Sequence, residues 1–172
     1  MPRRGVPFAL VAAALVVSAN LGTFADDSGT PSLPVVRVTL GGEIFALELA
    51  TDQGTRSRGL SGRTRIGQNA GMLFVYPSVG QRSMVMRDCK VPIDVAFLDD
   101  TGRVVTVHQM PIEPRRRPGE SRGDYERRLT VYTSSAPVRF AIEVAGGRLA
   151  QLGLGIGDHV PLGDDVLVGQ AR

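Results

Sequence analysis

The sequence predicts a single, mostly β domain: a compact β-sandwich or jelly-roll-like barrel with two short helices. Three observations carry that expectation. Short alternating apolar and polar runs recur between turn-forming residues, and about eight strands can be read from them. Gly (21 residues) and Pro (11 residues) are plentiful while Trp is absent, which with many β-branched residues favours short strands and turns. No strand–helix–strand rhythm and no internal repeat interrupts the pattern, so a parallel α/β architecture is not expected.

The 172 residues fit one domain behind a leader. Arg3 and Arg4 open the chain, residues 8–17 are uninterruptedly apolar, and small residues follow, with cleavage motifs ending at Ala19 and Ala25. This pattern is that of a secretory signal peptide, assigned to residues 1–25. The apolar run falls short of the about 20 residues of a transmembrane helix; an uncleaved membrane anchor is the alternative. The protein is therefore expected to be exported, periplasmic or secreted. Residues 26–34 form a polar linker and residues 35–168 the domain.

The formal charge of +3 owes two charges to Arg3 and Arg4; without them 18 basic residues face 17 acidic ones. No global electrostatic case for nucleic acid remains. Cys89 is the single cysteine, so no internal disulfide forms. It is expected to be a small buried hydrophobe.

The elements follow in order. Two alternating runs, residues 35–40 and 44–49, flank Gly41-Gly42 and predict a β-hairpin. Thr51 is placed as the cap of a short helix, with Asp52 in its first turn and Gly59 as its stop. Residues 61–70 read as loop, and residues 72–76 as a buried strand ended by Pro77. Residues 83–86 form a short strand. Residues 93–98 and 103–108 form a hairpin around Asp99-Asp100-Thr101-Gly102. Residues 112–128 are a long charged segment with Arg115, Arg116 and Arg117, expected to be a solvated loop; its functional alternative is contact with an anionic surface. Strands at 129–132 and 138–144, a helix from Gly147 through Leu152, and a closing turn and strand at 156–162 complete the chain.

With these landmarks placed, the chain resembles the DUF192 family, a domain of unknown function, over residues 35–162. Ala50-Thr51, Arg56, Arg58-Gly59-Leu60 and Arg63 resemble its opening helix and loop. Gly71-Met72-Leu73-Phe74-Val75 resembles its central strand, and Met86-Arg87-Asp88-Cys89 with Val91-Pro92-Ile93-Asp94-Val95-Ala96-Phe97 its most diagnostic stretch. Phe140, Val144, Gly147 and Gly157-Asp158 resemble its ending. The chain departs from the pattern at Val85, where Trp is frequent, at Ala145, where Asn is expected, and throughout residues 112–128. The resemblance implies a β-sandwich with jelly-roll character and names no reaction.

Asp94 stands out because it leads into an apolar run, where a carboxylate must be paired or hydrogen-bonded. It is read either as ligand-facing or as a structural acceptor of backbone N–H groups, the latter preferred; Arg56, Arg58 and Arg63 are partners only by the layout of the resemblance. Met84 and Met86 share one strand face. With Met72, Met110, Cys89 or His108 they compose a soft-metal set, but core filling is the preferred role. His108 and His159 have no zinc spacing, and Ser83, Ser134 and Ser135 have no nucleophile context. The expected function is a non-enzymatic domain binding a small molecule or protein near Arg58, Met86 and Asp94. No cofactor, no metal, no nucleic acid and, after leader cleavage, no stable membrane insertion is expected. The alternatives are an enzyme using Asp94 as acid or base with an Arg anchoring an anionic substrate, and soft-metal binding through Met84 and Met86.

Overall fold

A computed structural model describes residues 33–163 and Val166. The leader, its cleavage motifs and linker residues 26–32 lie outside the described residues.

β1 (Val35–Leu40) and β2 (Glu43–Ala50) form the expected hairpin. Gly41 and Gly42 hold φ of 53° and 85°, the region a tight hairpin turn requires and side chains avoid. Next come α1 (Gln53–Arg58), β3 (Ala70–Gly80), β4 (Ser83–Met84), β5 (Ile93–Leu98), β6 (Val104–Met110), α2 (Arg122–Arg127), β7 (Tyr132–Thr133), β8 (Val138–Ala145) and α3 (Arg148–Gln151). Six strands build one sheet in the order β1-β2-β3-β8-β5-β6, and β4 pairs with β7 beside it. β2 and β3 run parallel and every other pair antiparallel. The parallel pair needs a crossover, and that crossover carries α1 onto one face of the sheet. Among the described residues the large sheet does not close into a barrel.

The sheet is apolar on both sides. Strand alternation sends Leu73 and Val75 of β3, Phe140, Ile142 and Val144 of β8, and Ala96 and Leu98 of β5 to one face, where Leu149 of α3, Leu154, Val160 and Leu162 cover them. Met72 and Phe74, Ala141, and Ile93, Val95 and Phe97 point to the other face. There they pack with Leu60, Met84, Met86, Cys89 and Met110. The domain is therefore a layered, sandwich-like β structure whose central strands are dry on both sides.

Several elements differ from the sequence expectation for local reasons. Asp52, not Thr51, caps α1: its Oδ1 accepts from Thr55 N at 2.9 Å, and the Thr55 hydroxyl lies 3.4 Å from Asp52 N, completing a capping box. β3 continues past Pro77 to Gly80 because its register against β8 shifts after Val75, and a proline is tolerated at such an irregularity. The charged segment at 112–128 is folded. Its Ser121 Oγ accepts from Asp124 N at 3.1 Å to start α2, a third helix where two were expected. Tyr125 and Leu129 are buried, and Arg128 binds Glu120 and the Pro114 and Arg115 carbonyls. Residues 156–162 form a single bridge between Arg103 and His159 rather than a strand.

Gly71 in β3 lies where a Cβ would stand 2.1 Å from the Glu143 carbonyl oxygen of β8. Backbone cannot yield as a flexible side chain does, so Gly71→Ala should destabilise the domain by at least about 2 kcal/mol, measured by urea unfolding.

Candidate functional site

β8 is one of the two central strands, and residue 143 faces the α1 side of the sheet between Met72 of β3 and Val95 of β5. That residue is a glutamate. Glu143 is 7% exposed, and its Oε2 has no hydrogen-bond partner among the described residues. Burial drives its carboxyl up from the ordinary 4.5 to about 7, against the opposing pull of the Leu60 amide and the Arg63 charge.

Glu143 lines a cavity of about 210 Å³ together with α1, the turn after it, Phe74, Tyr76, residues 83–85, Arg87 and Cys89. Gly59 makes the opening. It ends α1 at φ 52° and ψ −137°, its N–H donating to Thr55 O at 2.9 Å. A Cβ there would lie 3.3 Å from Glu143 Oε2 and 3.4 Å from the Phe74 ring. Gly59 thus leaves the space of a side chain next to the carboxyl, although Oε2 itself is closed off from solvent.

The rim is cationic. Arg56 Nη1 donates to the carbonyls of Thr51 and Val75 at 2.5 and 3.0 Å, tying α1 to the sheet. Arg56 and Arg82 both lie against the Tyr76 ring. Arg87 binds Glu126 of α2 at 3.1 Å and the Ser57 carbonyl at 2.5 Å. Arg58 is exposed and lines the cavity, and its guanidinium makes no hydrogen bond or ion pair among the described residues. Burial, then the Glu143 charge, pushes the Cys89 thiol up to about 11 and the Tyr76 phenol up to about 12. Cys89 is therefore a protonated, largely buried thiol at neutral pH.

The three residues singled out from the sequence do not converge. Arg58 stands at the rim, and Met86 is sealed in the core of the same face. Asp94 is 1% exposed and pairs with Val144 of β8, so it points to the opposite face, toward α3. Its Oδ2 accepts from Leu149 N at 3.0 Å, capping α3 from a neighbouring strand, and it lines neither cavity described. The acid–base arrangement of Asp94 with an Arg over an open pocket is not formed. Met72, Met84, Met86, Cys89 and Met110 share one apolar cluster, and Met84 and Cys89 reach the cavity wall. Among the described residues no three His, Cys, Asp or Glu side chains could hold a metal ion. His108 lies against Phe97 and Tyr132, and His159 lies 2.9 Å from the Thr101 carbonyl, far apart in the fold. A shallower cleft of about 310 Å³ beside Gly41 and His159 contains no unpaired buried side chain.

The DUF192 family model (uncharacterized ACR) matches residues 36–162. The chain belongs to the DUF192 family. No curated protein matches it. Two solved structures are similar, each at 25% identity. One, a protein of unknown function from Novosphingobium aromaticivorans, has a TM-score of 0.64 and is covered over 89% of its length by 78% of this chain. The other, from Sinorhizobium meliloti and described as a candidate transcription regulator, has a TM-score of 0.60 and is covered over 91% by 74% of this chain. The two likenesses agree with the DUF192 fold described above. Among the described residues no helix is long and apolar enough to cross a membrane.

Sequence reasoning passed over Glu143, although the signal was present: a carboxylate inside Phe140-Ala141-Ile142-Glu143-Val144, a strand apolar enough to be dry on both faces.

Two variants separate the carboxylates. The native Glu143 pKa of about 7 exceeds the ordinary 4.5, so between those values the folded protein holds a proton that the unfolded chain has lost. Stability is full below pH 4.5 and falls as pH rises to 7. Glu143→Gln should therefore exceed the wild type at about pH 8 by about 2–3 kcal/mol, and that gap should vanish near about pH 4.5, as read by urea midpoints. Asp94→Ala should instead lose about 1–3 kcal/mol by leaving the buried α3 amide without its acceptor. Hydrogen exchange at Leu149 should rise in that variant and leave residues 59–61 unchanged.

Proposed function

We propose that this DUF192 protein is an exported, non-enzymatic binding domain that holds a small polar molecule in the cavity over Glu143. The observation that supports this most is the Glu143 carboxyl in the cavity lining, its buried Oε2 without a partner and its neighbour Gly59 without a side chain. Burying a carboxyl oxygen without a partner is unfavourable by about 1–3 kcal/mol, and a bound molecule that supplies the partner recovers that energy. The volume of about 210 Å³ lies below the roughly 300–1,000 Å³ that suits drug-sized ligands, so a metabolite fits better than a folded partner. The leader pattern supports a location outside the cytoplasm.

Catalysis by a nucleophile is disfavoured by the cavity's composition. The Cys89 thiol is protonated at neutral pH, and no His lines the cavity to activate Ser57, Ser61 or Ser83. A second reading uses the same carboxyl. A group titrating at about 7 is matched to general acid–base work near neutrality, so an acid–base role belongs to Glu143 and not to Asp94.

Thermal shift of the mature domain against amino acids, small carboxylates and sugars tests the binding reading. At least one class should raise Tm in the wild type. Gly59→Ala, which fills the opening, should remove the shift, and Arg58→Ala should reduce it while circular dichroism shows both variants folded. No shift with any class, or an unchanged shift in both variants, would overturn the assignment of the cavity.

A further inference from the structure

Resting on that cavity reading, we infer that the ligand is a small amino-carboxylate, an amino acid or a molecule of that size, whose protonated amine meets Glu143 and whose carboxylate meets Arg58.

The charges around the cavity argue for both ends of such a molecule. Glu143 makes no ion pair among the described residues. Arg63, the cation whose charge acts on it, is committed to Glu48 at 2.6 Å. The other charged or titratable groups that share the cavity with it are Arg56 and Arg58 from α1, Tyr76 from β3, and Arg87 and Cys89 from the segment after β4, with Asp88 acting on Cys89. None of them donates a hydrogen bond to Oε2. Oε2 is closed off from solvent, so a ligand meets the carboxyl where it lines the cavity; a neutral donor there would satisfy an oxygen, but only a cation satisfies the charge as well, through a charge-assisted bond in a dry setting.

A lone amine would face the rim guanidiniums and be repelled by them. The rim in turn has one guanidinium to offer. The Arg56 Nη1 group is occupied by two carbonyls, and Arg87 is held by Glu126 and Ser57. Of the three arginines that line the cavity, Arg58 alone has an unengaged guanidinium, and its planar fork suits one carboxylate. A floor that calls for a cation and a rim that calls for an anion lie in a single cavity of about 210 Å³. Phe74, Leu60 and Met84 supply an apolar wall between them for an aliphatic side chain.

Binding an ammonium group would ionise the Glu143 carboxyl, so the complex should release protons, about half a proton per ligand near pH 7. Calorimetry of the mature domain in two buffers of different ionisation heat measures this directly. The probes are alanine and methionine, with propionate lacking the amine and ethylamine lacking the carboxylate. The amino acids should bind with proton release, and each truncated probe should bind at least tenfold more weakly. Glu143→Gln should erase the preference for alanine over propionate, and Arg58→Ala the preference for alanine over ethylamine. Arg58 is exposed, so that variant keeps its fold. Propionate binding as tightly as alanine, with proton uptake, would overturn the inference and leave the cavity a simple anion site with Glu143 as a neutral donor. Sugars shifting Tm while no amino acid binds would overturn it and leave the binding reading standing. No binding of any probe, together with no shift in the wider panel, would remove both.

Discussion

β8 lies between β3 and β5 with apolar layers on both of its faces, and most of the domain is arranged around that burial. Neighbouring backbones must approach closely to cover it, which is why a glycine stands at position 71 against the Glu143 carbonyl. The same burial sets the state of Glu143. In water its side chain would be ionised at neutral pH; between Met72 and Val95 it loses hydration that nothing on its strand replaces. The strand that organises the fold is thus also the strand that brings one unsatisfied group to the bottom of a cavity.

The cavity over that group is made by the parallel step from β2 to β3. A parallel connection must cross over the sheet, and here it crosses as α1, stopped at Gly59 in a conformation that a side chain would strain. The charged segment at 112–128 completes the wall. Tyr125 is buried and its hydroxyl accepts from Asp88 N at 3.0 Å, at a residue with φ of 56°, and Glu126 holds Arg87 over the rim. A stretch that departs from the family pattern therefore shapes the residues next to the cavity.

Asp94 and Glu143 show how far the chain can be read without its fold. Both are carboxylates inside runs apolar enough for a two-sided strand, so the sequence marks both as needing a partner. Their outcomes differ because they point to opposite faces. One meets an α3 amide and is structural; the other lies beside Gly59 and lines the cavity. Strand alternation predicts that residues two apart share a face, but it cannot say which face of β5 matches which face of β8. That is set by the register Asp94 to Val144 and Val95 to Glu143.

The sequence by itself determined the mostly β class, the two hairpins, the stop at Gly59, the family landmarks and the burial of Cys89. These rest on local rules: alternation with period two, the φ of glycine, and the transfer of apolar groups out of water. The third helix was also legible from Ser121 and Asp124, but long-range contacts from Tyr125 and Arg128 fix it in place. Only the tertiary structure decided that Arg58 joins Glu143 and not Asp94, that Met86 is core, and that the sheet stays open. Those outcomes depend on strand order and on which backbone carbonyls capture which guanidinium. Such contacts link residues far apart in the chain, and no local preference encodes them.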